Sequence, residues 1–325
     1  MTVTEQQRKR IKEQLKRRRV TKDFKLPSFP KMVELEYTKA IIKEIKKIDD
    51  LVKEILIPEL DRITNQEERF DASFKSLSGI ALVHAIIQKI KSIFYGEPLT
   101  EDAEPTQNLF SRSIRNIVKP FINRVENLTK RQFVNEFKRQ TGSEPLEKQV
   151  NVEPFLRDAL RTNISLIKTI HQDYFSRLSA EVQNAVGKGM LSRDLQEKII
   201  NISKISKNRA KLIARDQIGK LVGDIEQARQ IKLGVTEYIW RTVRDGRVRS
   251  FSNTSGSSDH ARLEGTIQKW SNPPVTVFKG KRAGERNHPG KDIVCRCHPQ
   301  PIYDDITGIA HPDTIKARKK MDKTA

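Results

Sequence analysis

The feature that most limits what this chain can fold into is a set of apolar stripes at helical spacing. Ile41, Ile45, Ile48, Val52 and Ile55 follow one another at alternating steps of four and three, which puts them on one face of an α-helix. Pro58 is expected to stop or bend that helix. Ile80, Val83, Ile87, Ile90 and Phe94 make a second stripe, closed by Gly96 and Pro98. Ile114, Ile117, Phe121, Val125 and Leu128 make a third, with Pro120 expected to kink it or to mark a fresh start. Leu160, Ile164, Ile167, Tyr174 and Leu178 make a fourth, running to Gly187. Such stripes are the packed seams of a helical bundle. His84 and His171 lie beside or on them with no second ligand type at helical spacing, so both read as ordinary bundle residues.

The texture changes after residue 190. Leu191–Ile200 predicts a short helix and Ser203–Leu233 another, ended by Gly234 as a left-handed cap. Val235–Val243 is rich in β-branched and aromatic residues. Asp245-Gly246 is a two-residue hairpin signal, with Val248–Phe251 as the return strand.

The length of 325 residues suggests two domains. The expected organisation is a basic arm (1–30), a long-helix region (31–186), a small α+β domain with a β-hairpin (187–305) and a basic tail (306–325). The fold class is mainly α. The start Met-Thr-Val-Thr-Glu lacks a cationic segment followed by an apolar run, so no secretory signal is expected. No window approaches the roughly 18 apolar residues of a membrane span. Two cysteines do not make a disulfide framework, which fits folding in a reducing compartment.

Charge points to a partner class. Lys plus Arg number 62 against 41 Asp plus Glu, a formal net charge of +21, and such an excess attracts polyanions, nucleic acid foremost, or else an acidic protein surface. Arg8, Lys9, Arg10, Lys12, Lys16, Arg17, Arg18 and Arg19 concentrate it near the start. They have little apolar surface to bury alongside them, so this arm is the expected DNA-contacting segment, each neutralised phosphate releasing counterions.

Several fragments carry a resemblance when taken in order. They are Gly189-Met-Leu-Ser-Arg-Asp-Leu195, Asn208–Arg215 with Gln217, and Lys232–Trp240. Thr242, Asp245, Arg247, Arg249, His260, Leu263, Gly265 and Cys295-Arg-Cys297 complete the series. Together, over roughly residues 185 to 303, they resemble the phage Mu F-like head morphogenesis family of minor capsid proteins. Here Ser250–Asp259 intervenes before the histidine, and the helix reads Ala214-Arg-Asp-Gln217 where the family commonly has Ala-Arg-Thr-Glu. The resemblance implies a protein of a tailed-phage virion, lying in the capsid interior near the portal vertex and present in the host cytoplasm during assembly. It implies the portal, the major capsid protein or a scaffolding protein as partners, packaged double-stranded DNA nearby, and passage out with the genome in some members.

The same stretch gathers both cysteines and most histidines. In a strand, Cys295 and Cys297 would face one way. Two readings follow. The simpler one is a polar network of Arg215, Asp245, Arg247, Arg249, His260, Glu264 and Arg296 that fastens the hairpin to a Cys-Arg-Cys strand, with the thiols as packing groups and no cofactor. The other is zinc, with His260, His288, Cys295 and Cys297 as ligands. His288-Pro-Gly-Lys291 suits a type II turn, and His260 and Glu264 would lie one helical turn apart. No nucleophile–base–orienter arrangement is visible in the spacing, so no enzyme is expected. A metal-dependent nuclease or a toxin-like enzyme in the C-terminal domain is the alternative.

Overall fold

The computed structural model describes residues 24–59, 77–95, 109–142, 144–145, 150–188, 192–243, 259–308 and 310–322, with Glu5, Lys9, Glu13 and Val248 besides. It is mainly helical. Five long helices are α1 (Lys31–Leu51), α2 (Leu77–Tyr95), α3 (Leu109–Thr141), α4 (Glu153–Lys188) and α5 (Ser192–Lys232). A three-stranded antiparallel sheet and two shorter helices, α6 (Asp304–Thr307) and α7 (Pro312–Asp322), follow. Among the described residues no helix is long and apolar enough to cross a membrane.

The apolar stripes become core with two adjustments. Ile41, Ile45, Ile48 and Val52 are fully buried as expected, but the next buried residue is Leu56 rather than Ile55. Residues Val52–Leu56 form a π-turn, and the Ile57 N–H reaches back five residues to the Val52 carbonyl. That inserts one residue into the helical period and moves the stripe by one. Pro58, which removes a donor and crowds the preceding turn, supplies the cause, and the helix runs on to Glu59 instead of stopping. Pro120 neither ends α3 nor starts a new helix. It lies inside the helix at an exposed position, where the carbonyl it leaves without a helical donor is open to solvent. The two helices expected over 191–200 and 203–233 are one continuous helix, α5, of 41 residues. It ends as predicted at Gly234, with φ of 83°, where the Val235 N–H reaches the Gln230 carbonyl at 3.0 Å and the Gly234 N–H reaches Ile231 at 2.9 Å.

The chain divides into two compact units that do not follow chain order, one of residues 32–121 and 160–214, the other of 1–31, 122–159 and 215–325. The long helices α3, α4 and α5 contribute to both. In the first unit a polar tie crosses the apolar core. Asp49 accepts hydrogen bonds from Tyr174 Oη at 2.8 Å, Ser203 Oγ at 2.6 Å and Lys207 Nζ at 2.9 Å. Three donors on α4 and α5 thus neutralise one buried carboxylate of α1. The Tyr37 and Phe121 rings stack at 3.9 Å, and Tyr37 Oη donates to Asn163.

The second unit is built on the sheet, ordered β2-β1-β3 with β1 (Glu237–Arg241) central, β2 (Ile267–Lys269) and β3 (His298–Pro301). Period-two alternation sorts β1: Tyr238 and Trp240 pack with Leu263, Trp270, Cys295 and Cys297, whereas Ile239 packs with Ile302 and Ala317. Both edges of β1 are taken by distant segments, with Ile239 opposite Ile267 and Gln300. The expected turn at Asp245-Gly246 lies outside the described residues. So does the return stretch, except for Val248, which is a bend. Residues 312–322, expected within a basic tail, form α7, which buries Thr314 and Ala317 one turn apart and exposes Lys316 and Lys319.

Candidate functional site

The site begins with three glycines. Gly219 and Gly223 lie one turn apart on α5, so the helix backbone is bare along that strip. The loop Pro289–Cys295 lies directly on it. A Cβ at Gly219 would come within 2.6 Å of the Cys295 carbonyl oxygen, one at Gly223 within 2.7 Å of Pro289 O, and one at Gly290 within 2.7 Å of Gly219 O. The turn His288–Lys291 closes as expected, with the Lys291 N–H on the His288 carbonyl at 3.2 Å and Gly290 at φ of 85°. Lys291 pairs with Asp224 of α5.

A second hold on the loop is Asp216. Its Oδ1 accepts the Val294 N–H at 2.8 Å, and its Oδ2 pairs with Lys220 at 2.7 Å. Val294 has φ of 54°, the one left-handed non-glycine among the described residues. For a β-branched side chain that conformation is strained by about 1–3 kcal/mol and persists only when its surroundings dictate it. The strain sits immediately before Cys295-Arg-Cys297.

His260 meets these cysteines. It precedes a short 3-10 turn (Ala261–Leu263), where the Asp259 carboxylate accepts the Arg262 N–H. His260 Nδ1 lies 3.5 Å from Cys295 Sγ and 3.7 Å from Cys297 Sγ, and all three residues are buried. Its other nitrogen, Nε2, is 3.2 Å from Asp292 Oδ2. Asp292 is buried too, and its Oδ1 accepts its neighbour Ile293's N–H at 2.8 Å and Arg282 Nη2 at 3.4 Å. The Cys295 sulfur accepts the backbone N–H groups of Gly290 and Cys297, each at 3.4 Å.

The electrostatics of this group follow from its geometry. The Cys297 thiol beside it and the His260 ring hold the Cys295 pKa well below the usual thiol range against its burial. Cys297, donating to that sulfur and buried, is pushed up. Burial acts to lower the His260 pKa, but the Asp292 and Cys295 contacts outweigh it and hold it at about 9. The imidazole nitrogen and the two sulfurs lie within 4.8 Å of one another, close enough to share one metal ion. A cavity of about 180 Å³ borders them, lined also by Arg215, Val243, Val248, Val294 and Arg296.

Of the predicted residues, the structure brings His260, Cys295, Cys297, Arg215 and Arg296 around one cavity. His288 is not with them: its Nδ1 takes Tyr238 Oη at 2.9 Å and its ring packs on Trp270. Glu264 does not reach His260. It accepts the Thr242 N–H and lies 3.4 Å from Arg241, which also bonds Gln300 and Asp313. The cysteines lie just ahead of a strand rather than in one, since β3 starts at His298. Asp245, Arg247 and Arg249 lie outside the described residues, as do the cationic positions near the start except Lys9, which is exposed. Sequence reasoning missed Asp292, Asp216 and the glycine pair; only the small-xxx-small spacing of Gly219 and Gly223 was there to be read.

Comparison with known proteins now bears on this stretch. Residues 176–299 match the family model described as phage Mu protein F like protein. Over this segment the chain is similar to the phage Mu F-like family. The Mu F-like segment takes in the end of α4, the whole of α5, β1, the 3-10 turn, β2 and the His260–Cys295–Cys297 cluster. At the level of the family it suggests phage head morphogenesis, association with the virion capsid and capsid-related partners, and the family is generally structural rather than enzymatic. An uncharacterized protein of Haemophilus influenzae is 30% identical over 208 residues, covering 63% of this chain and 43% of that protein. The chain thus spans less than half the length of that relative. No solved structure matches.

Proposed function

We propose that this Mu F-like chain is a minor capsid protein of a tailed phage, acting in head morphogenesis at the portal vertex and capsid interior. It assembles in the host cytoplasm with the portal and with the major capsid or scaffolding protein, and it leaves with the genome on ejection. The observation that carries this is the Mu F-like match over residues 176–299 in a chain of net charge +21. A charge of that sign suits a protein packed against condensed DNA. The contact is assigned to the basic segments, above all Arg8, Lys9, Arg10, Lys12, Lys16, Arg17, Arg18 and Arg19.

The DNA contact has a direct test. The logarithm of DNA affinity should fall linearly with the logarithm of salt concentration, with a slope of about 0.9 per phosphate neutralised. Removing residues 1–25 is expected to flatten that slope by several phosphates' worth. An unaltered slope would move the contact elsewhere in the molecule.

A further inference from the structure

We propose that His260 Nδ1, Cys295 Sγ and Cys297 Sγ hold a zinc ion, with Asp292 fixing the imidazole through Nε2. The fit is metric. A tetrahedral zinc with Zn–S of about 2.3 Å and Zn–N of about 2.0–2.1 Å sets sulfur and nitrogen about 3.6 Å apart. The two separations observed are 3.5 and 3.7 Å. Two thiolates and an imidazole form a soft donor set that suits zinc and disfavours magnesium or calcium.

What surrounds the ligands also suits a metal. A metal-bound histidine typically directs its second nitrogen to a carboxylate, and here Nε2 meets the buried Asp292 at 3.2 Å. The two backbone N–H groups aimed at Cys295 Sγ stabilise a thiolate rather than a thiol. The loop that carries both cysteines is held in place by Asp216 and by its close seat on Gly219 and Gly223, with Val294 in a strained conformation between them. These contacts place the sulfurs without requiring a disulfide, and both cysteines are free.

Binding displaces the protons held on the imidazole Nδ1 and on any protonated thiol, which pass to solvent. Among the described residues the protein supplies three ligands. The adjoining cavity, with Arg215 and Arg296 in its wall, leaves the fourth position to water or to an anionic group. The ion ties the segment before the 3-10 turn to the segment before β3, 35 and 37 residues apart in sequence. This inference does not rest on the capsid reading.

Elemental analysis of chain purified with zinc in the medium, without chelator and with a non-thiol reductant, should give about one equivalent of zinc, and less than about a tenth would overturn the site. Cobalt(II) added to the zinc-free, reduced chain should give a thiolate-to-cobalt charge-transfer band in the near ultraviolet and the intense visible bands of a tetrahedral site. Absence of that band contradicts the proposal even if every ligand variant misfolds. His260→Ala, Cys295→Ser and Cys297→Ser are expected to lose the metal, and full retention by any of them removes that residue as a ligand. Asp292→Asn should keep the charge-transfer band and weaken affinity by about 10–100-fold; unchanged affinity would remove its positioning role. His288→Ala should retain the full equivalent, and its loss would replace the three-ligand set by one that includes His288.

Discussion

His171 shows how packing adds a protonation state to a position the sequence already assigns to the bundle core. It is fully buried on α4, its ring 5.2 Å from Phe94, and burial, helped by the charge of Lys47, pushes its pKa down to about 3. A group that stays neutral when folded but takes a proton near pH 6.5 when unfolded stabilises the fold fully above pH 6.5. That contribution is lost as pH falls towards 3, by about 1.4 kcal/mol per pH unit inside the window. Denaturation followed from pH 6.5 to 4.5 should therefore lose stability faster in the wild type than in His171→Leu, and parallel curves would contradict a neutral buried imidazole. Its place in a bundle core was legible because it lies on an apolar stripe. His260, Cys295 and Cys297 were legible as rare residues gathered in one stretch and as ligands in one of two readings of it. Asp292 was not, because its tie to His260 spans 32 residues and leaves no periodic trace. His288 was placed wrongly for the same reason: nothing local says that Tyr238, 50 residues earlier, takes its ring nitrogen.

At the scale of elements, hydrophobic periodicity fixed four helices and failed where the backbone departs from a uniform period. The π-turn at Val52–Leu56 moved one core position from Ile55 to Leu56. The join of two expected helices into α5 went unseen: Ser203, where the second was expected to begin, is buried inside the helix and donates to Asp49. The sheet was the least legible part. Strong β-formers marked β1, but its partners lie about 30 and 60 residues on, and pairing over such distances is decided by tertiary packing. The helix α5 carries the element-level prediction. Gly223→Ala would push a Cβ to 2.7 Å from the Pro289 carbonyl oxygen, a backbone atom that can yield only if the whole loop shifts. Such overpacking is expected to destabilise by about 1–3 kcal/mol in equilibrium denaturation. An unchanged or raised midpoint, with alanine's better helix propensity winning, would show that the loop does not rest on the helix.

At the scale of the molecule, the Mu F-like segment and the charge make different claims. The segment 176–299 is similar to the phage Mu F-like family, which suggests head morphogenesis. The excess of 21 positive charges concerns what lies beside it, and sign alone favours DNA without naming it. The family was legible in sequence because its fragments recur in order even where each is weak, and the structure gives part of that order a physical reason: His260 and Cys295-Arg-Cys297 converge on one cluster. Capsid location and departure with the genome are joined in one measurement. Quantitative mass spectrometry of purified virions, before and after DNA release is triggered, should find this chain in intact particles at a few copies relative to the portal and find it depleted once the DNA has left. Its absence from intact virions, or its full retention in emptied heads, would contradict respectively its place in the capsid and its exit with the genome.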